Sequence, residues 1–84
     1  MLKSFKRTLL LNAQRYQMRG RAEGLRILVE RSKLPEKMTR IMFKDFHNNL
    51  LEYEETNLGY WVTLPEVLAT KPTEFYMYYE REVD

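Results

Sequence analysis

The amino-acid sequence predicts a small α+β domain that is mostly α-helical. It consists of an N-terminal helical hairpin, over about 4–32 and 35–55, and a short C-terminal two-stranded antiparallel element. Apolar residues recur at three- and four-residue spacing in the first two thirds of the chain, and aromatic and β-branched residues cluster in the last third. With 84 residues, of which 44% are hydrophobic and 13% aromatic, the chain is expected to form one folded domain over 1–84.

The first predicted helix, over 4–32, follows from apolar and small residues at helical spacing. They are Leu2, Phe5, Leu9, Ala13, Tyr16, Gly20, Gly24 and Ile27. Gly20 and Gly24 weaken this prediction, because a glycine costs a helix interior up to about 1 kcal/mol relative to alanine. The segment is therefore one helix or two helices broken near Gly20. A strand over 25–31 is an alternative, since this stretch contains β-branched residues.

The second predicted helix, over 35–55, begins at Pro35, because proline fits the first turn of a helix. Its apolar residues fall on one face at the period of about 3.6 residues that an α-helix requires. They are Met38, Ile41, Met42, Phe46, Leu50 and Tyr53. We expect this face to pack against the first helix.

The C-terminal third has the composition of β-strands after the turn residues at 56–59. The segment 60–64 is aromatic and β-branched, and 75–81 alternates between two faces. We expect the two segments to pair as antiparallel strands over the helical hairpin. The core-facing residues of the second strand are predicted to be Phe75, Met77 and Tyr79.

Charge is unevenly distributed along the chain. Residues 1–33 carry nine Lys or Arg and two Glu, whereas residues 49–84 carry eight acidic residues and two basic ones. The net charge of +2 therefore combines a basic N-terminal part with an acidic C-terminal part. This asymmetry constrains which surfaces each part can contact.

The sequence shows no pattern that indicates an enzyme. His47 is the only histidine, Ser4 and Ser32 are the only serines, and there is no cysteine, so neither a catalytic triad nor a thiolate metal site is indicated. None of the three glycines lies in a phosphate-binding loop. We therefore expect no catalytic, cofactor-binding or metal-binding residues, and we expect His47 to be solvated.

The leading functional hypothesis is a small non-enzymatic interaction protein that docks on a larger protein. Such an adaptor, inhibitor or regulator would be of the kind found in phages and mobile elements. Exposed tyrosines flanked by acidic residues are typical of protein-binding surfaces. The candidate partner-binding residues are the aromatic Tyr60, Trp61, Tyr76 and Tyr78 and the basic Arg15, Arg19 and Arg26.

The alternative is a nucleic-acid-binding protein that uses a basic ridge on the two helices. Helix geometry places the basic side chains of each helix within an arc of roughly 40° to 60°, opposite the apolar stripe. The residues of this ridge are Arg15, Arg19, Arg26, Lys33, Lys37, Arg40 and Lys44. Such a surface would bind phosphates with a steep dependence on salt.

A homodimer is expected, because two apolar helix faces exceed what one short hairpin can bury. No apolar run approaches the roughly 18 to 20 residues that span a bilayer, so no membrane partner is expected. The absence of cysteine suits a reducing compartment, and we expect a cytoplasmic location.

Overall fold

The computed structural model describes residues 1–12, 21–68 and 70–83, and these residues are nearly all β-structure. The predicted mostly α-helical fold, with its hairpin over 4–32 and 35–55, is therefore wrong. The one helical element among the described residues is a 3₁₀ turn at Arg31–Lys33. The strands are β1 (Leu2–Leu11), β2 (Arg21–Ala22), β3 (Leu25–Glu30), β4 (Thr39–Asp45), β5 (Tyr53–Thr56), β6 (Gly59–Leu64), β7 (Val67–Leu68) and β8 (Thr73–Glu82).

The strands form two three-stranded antiparallel sheets and a short ribbon. The first sheet has the order β1-β8-β4 and the second sheet has the order β3-β6-β5, while β2 pairs with β7. The chain passes from the first sheet to the second between β4 and β5. At this corner the N–H of Leu51 donates to the carbonyl of Phe43 at 2.8 Å.

One hydrophobic core joins the inner faces of the two sheets. Alternate residues of the central strands β6 and β8 supply half of its members, as the period of a strand requires. The buried residues are Leu11, Ile27, Val29, Phe43, Leu51, Tyr60, Val62, Leu64, Val67, Phe75, Met77 and Tyr79.

The stripe that predicted the second helix belongs instead to β4, a turn and β5. Two of its members, Phe46 and Leu50, are 70% and 71% exposed, whereas Phe43, which lies outside the stripe, is fully buried. The helix fails because the carboxylate of Asp45 binds backbone N–H groups that follow it, which favours a turn over a helix.

The segment predicted as the first helix contains β1 and β3, so the alternative strand over 25–31 is observed, ending one residue earlier at Glu30. A spacing of four residues, such as Phe5 to Leu9, lies on one face of a helix and also on one face of a strand. The pairing of β1 with β8 decides between them. Gly24 lies at φ +64° before β3, and Gly20 lies outside the described residues.

The two predicted C-terminal strands are present as β6 and β8, but they do not pair with each other. They lie at the centres of different sheets. The predicted core face of β8 is confirmed, because Phe75, Met77 and Tyr79 are all buried.

Candidate interaction surface

Tyr76 and Tyr78 lie on the outer face of the first sheet, at its centre. The strand β8 runs between β1 and β4, and residues directly opposite on paired strands share a face. Both rings are partly exposed. We call this surface the tyrosine face; it comprises Lys6 and Thr8 from β1, Met42 and Lys44 from β4, and Tyr76 and Tyr78 from β8.

Lysine side chains hold the two rings in place. The Nζ atom of Lys6 lies 4.3 Å from the ring centroid of Tyr76 and 5.8 Å from that of Tyr78. The Nζ atom of Lys44 lies 5.5 Å from the centroid of Tyr78 on the other side. Each exposed cation–π contact contributes about 0.5–1 kcal/mol, so these contacts favour the observed positions of the two rings.

The hydroxyl of Tyr76 donates to the Glu74 carboxylate at 2.8 Å. This hydrogen bond, followed by desolvation, raises the pKa of Tyr76 above the ordinary tyrosine value.

A rigid turn at the end of β4 is a second surface feature. The Asp45 Oδ1 atom accepts hydrogen bonds from the backbone N–H groups of His47 and Asn49, both at 2.9 Å. Asn48 adopts φ +67°, a left-handed conformation that asparagine tolerates better than most residues. We call residues 45–49 the Asp45 turn.

The Asp45 turn displays Phe46 with 70% of its surface exposed. The ring of His47 packs edge-on against it, with centroids 5.7 Å apart. The exposed Leu50 follows the turn and bridges to Lys44. Sequence reasoning missed Phe46 as a surface residue, although the Asp, Asn and Asn around it are turn-forming residues that could have indicated its position.

Tyr60 was predicted as a partner-binding residue on the surface, but it is a core residue. It is only 2% exposed, and its hydroxyl donates to the Glu55 carboxylate at 3.3 Å. Arg31 donates to the same carboxylate at 2.9 Å, and that hydrogen bond raises the pKa of the guanidinium. Burial, followed by the charge of Glu55, raises the pKa of Tyr60. These groups line one wall of a cleft of about 940 Å³.

Trp61 lies on the outer face of the second sheet, where it is partly exposed. Arg26 on β3 and Glu54 on β5 flank it and form an ion pair at 2.8 Å. The Arg26 guanidinium lies 5.7 Å from the indole centroid. Trp61 and the two tyrosines of the first sheet therefore belong to different surfaces.

The described part of the chain does not form the helical basic ridge. Arg26, Arg40 and Lys44 lie on strands, and Lys33 and Lys37 lie in the 3₁₀ turn and the segment after it. Arg26 and Arg40 instead lie near the carboxylates of Glu54 and Glu80, at 2.8 and 3.6 Å. Lys33 lies 3.2 Å from the Glu30 carboxylate. The remaining ridge residues are Lys37, which is exposed, Lys44, which belongs to the tyrosine face, and Arg15 and Arg19, which lie outside the described residues.

Within residues 1–12, 21–68 and 70–83 there is no group of three or more His, Cys, Asp or Glu side chains placed to hold a metal ion. The same part of the chain contains no helix with the length and apolar character needed to cross a membrane. Comparison of the chain with protein-family models, with curated proteins and with solved structures finds no match.

Proposed function

We propose that this protein is a non-enzymatic interaction module, an adaptor, inhibitor or regulator that docks on a larger protein through its tyrosine face. The observation that carries the proposal is the pair Tyr76 and Tyr78 on the outer face of a sheet, ordered by Lys6 and Lys44. Tyrosine is enriched at protein interfaces and among the residues that dominate binding energy. Ordered rings lose little conformational freedom on binding.

The charge around the tyrosine face favours a protein partner over nucleic acid. The cations Lys6 and Lys44 share this side of the sheet with Glu74 and Glu80 of β8, which would repel phosphates. The guanidinium of Arg40 lies 3.6 Å from the carboxylate of Glu80. A mixed surface of this kind suits the balanced charges of a protein interface.

The test is partner capture with a double variant, Tyr76→Ala with Tyr78→Ala. Tagged protein is crosslinked in cells of the source, the captured protein is identified by mass spectrometry, and its affinity is then measured with purified components. We expect the double variant to weaken binding at least thirtyfold, since truncating a hot-spot residue, a class in which tyrosine is enriched, costs about 2 kcal/mol or more.

The matched control is Leu58→Ala. Leu58 is 61% exposed and lies in the turn between β5 and β6, away from the first sheet. The control should bind like the wild type, and all variants should keep the wild-type circular dichroism spectrum. Undiminished binding by a folded double variant would exclude the tyrosine face as the binding surface. Tight binding to a random oligonucleotide that weakens steeply between 50 and 200 mM salt would favour nucleic acid instead.

A further inference from the structure

Among the described residues, one edge of the strand β1 is unpaired, and we call it the free edge. The strand is ten residues long and pairs with β8 on one side, and no strand among the described residues pairs with its other side. Unpaired edges of long strands present a row of N–H and C=O groups that can accept a further strand.

The hydrogen-bond pattern identifies the groups on this edge. The N–H of Val83 donates to the carbonyl of Met1 at 2.9 Å, so Met1 and Val83 form a hydrogen-bonded pair in the register of β1 with β8. Bonded and non-bonded pairs alternate along an antiparallel ladder. Even-numbered residues of β1 therefore direct their backbone groups away from β8. These residues are Leu2, Ser4, Lys6, Thr8 and Leu10.

The other side of β8 agrees with this assignment. Leu51 donates to the carbonyl of Phe43, which shows that Phe43 turns its carbonyl away from β8. Met77, which stands opposite Phe43, must therefore bond toward β1, where it stands opposite Arg7. Odd-numbered residues of β1 thus bond to β8, and even-numbered residues face the free edge.

The charge of β1 selects the partner. The strand carries Lys3, Lys6 and Arg7 and no acidic residue. On its bonded side these cations stand opposite Arg81, Tyr78 and Met77 of β8, so no acidic residue of β8 lies directly opposite any of them. Directly opposite pairs in a ladder favour unlike charges, so a strand added at the free edge should be acidic.

A second copy of the chain fits this edge poorly. Two β1 strands joined antiparallel by their free edges must pair even-numbered residues with even-numbered residues. In the two registers that overlap most, Lys6 stands opposite Lys6 or Arg7 stands opposite Arg7. Like charges directly opposite each other destabilise a ladder.

We propose that the free edge of β1 binds an extended acidic segment of a partner protein by strand addition. The proposal deepens the proposed function and rests on it, because it assumes a protein partner and names that partner's chemistry. The backbone groups of β1 supply the affinity, and Lys6, which lies on the outer face of the sheet, selects acidic side chains on that face of the added strand. The added strand would lie beside the tyrosine face and widen the first sheet from three strands to four.

The experiment uses two ten-residue fluorescent peptides that alternate valine with glutamate or valine with lysine. Binding to the whole chain is measured by fluorescence anisotropy. We expect the acidic peptide to bind and the basic peptide to bind at least tenfold more weakly. No binding of the acidic peptide up to 1 mM, or equal binding of both peptides, would overturn the proposal.

Thr8→Pro tests the backbone contact directly. Proline removes an N–H group that faces the free edge and leaves the ladder of β1 with β8 intact, and edge strands tolerate such a residue. We expect at least a tenfold loss of acidic-peptide binding, whereas the control Thr8→Val, which keeps the N–H, should bind like the wild type. Equal binding by folded Thr8→Pro and Thr8→Val proteins would exclude strand addition at this position.

Amide hydrogen exchange of the wild type keeps the proposal testable if Thr8→Pro does not fold. Bound peptide should slow exchange at Lys6 and Thr8, whereas Arg7, already bonded to β8, should change little. Unchanged exchange at Lys6 and Thr8 under saturating peptide would refute the proposal. Native mass spectrometry should show peptide on a monomer; a dimer that Thr8→Pro disrupts would assign the edge to a second copy.

The two proposals can fail separately. The Tyr76→Ala, Tyr78→Ala double variant should still bind the acidic peptide, since it leaves the backbone of β1 unchanged. If the peptide does not bind while the double variant loses its partner, the edge proposal fails and the proposed function stands. If the peptide binds and partner capture is unaffected by the double variant, the edge is supported and the tyrosine face is excluded.

Discussion

Replacing Gly59 with alanine is expected to destabilise the domain severely. Gly59 opens β6 at φ +143°, a conformation that L-amino acids rarely adopt. A Cβ atom there would lie 2.1 Å from the carbonyl oxygen of Val29 and 2.8 Å from the backbone nitrogen of Arg31. Both atoms belong to the backbone, so β3 would have to move away from β6.

The magnitude combines three separate losses. A side chain at such a φ costs about 1–3 kcal/mol. Moving the end of β3 also weakens the hydrogen bond from the Arg31 N–H to the Leu58 carbonyl, 2.9 Å long, which contributes about 1 kcal/mol. With further loss of β3–β6 pairing, the total should reach about 3–5 kcal/mol. The free energy of unfolding of a domain of this size is about 4–13 kcal/mol, so the variant would be at or near the limit of folding.

Urea denaturation, followed by the fluorescence of Trp61, measures this cost. With a denaturant slope of about 1 kcal/mol per molar, the midpoint should fall by about 3 M or more. Gly24→Ala is the matched control. Gly24 also has a positive φ of +64°, but no atom lies within 4 Å of an added Cβ, so only the left-handed strain of about 1–2 kcal/mol applies. Equal losses in the two variants would refute the argument that the contact with β3 is decisive.

Three other changes test the core, the turn and the buried phenol. Met77→Ala should lower the free energy of unfolding, measured by urea denaturation, by about 2–5 kcal/mol, because Met77 is fully buried. Met42→Ala, at a 37% exposed position, should lower it by less than about 1 kcal/mol. Similar losses in the two variants would contradict the assignment of Met77 to the inner face and Met42 to the outer face of the first sheet. Asp45→Ala should speed amide exchange within residues 46–49, since it removes the carboxylate that accepts two backbone hydrogen bonds; unchanged exchange would show that the turn does not depend on it. The pKa of Tyr60 in the folded chain lies above the ordinary tyrosine value of about 10, so the free energy of unfolding should fall as pH rises through and above 10. Tyr60→Phe should reduce that fall. Identical pH profiles of the variant and the wild type would contradict the raised pKa.

The strands of the C-terminal third were predictable because their residues carry the β signal locally. Tyr60, Trp61 and Val62 are aromatic or β-branched, and residues 75–80 of β8 alternate between buried and partly exposed positions. Their pairing partners were not predictable in this way. Thr73 stands opposite Leu11, and no local pattern in either segment predicts that the two strands pair.

The error over 35–55 has a specific physical cause. The segment contains Met, Leu, Lys and Glu, which are good helix formers. Its apolar residues also repeat at a helical period across β4 and β5. Asp45, Asn48 and Asn49 are turn-forming residues and indicate a turn at this place. The apolar spacing indicates a helix across the same residues and so conceals the turn. The same error hid Phe46, because a helix would have placed it in the core.

The candidate residues were predictable only where the β signal was correct. Tyr76 and Tyr78 lie side by side on one face, as the alternation of β8 implies. Tyr60 lies in the core instead, because its strand is central in its sheet and its ring points inward. The placement of Arg26 beside Glu54 depends on a β3–β6–β5 pairing that only the folded chain provides.

The pairing of the first long strand with the last has a consequence for how the chain is made. Leu2 pairs with Glu82 and Leu11 pairs with Thr73, so β1 leaves the ribosome before the whole segment that separates it from β8. Contacts of such long sequence separation slow folding, since a large loop must close before they form. Until β8 emerges, β1 and β4 both lack their partner in the first sheet. The nascent chain then exposes two unpaired, aggregation-prone strands to chaperones and to other chains.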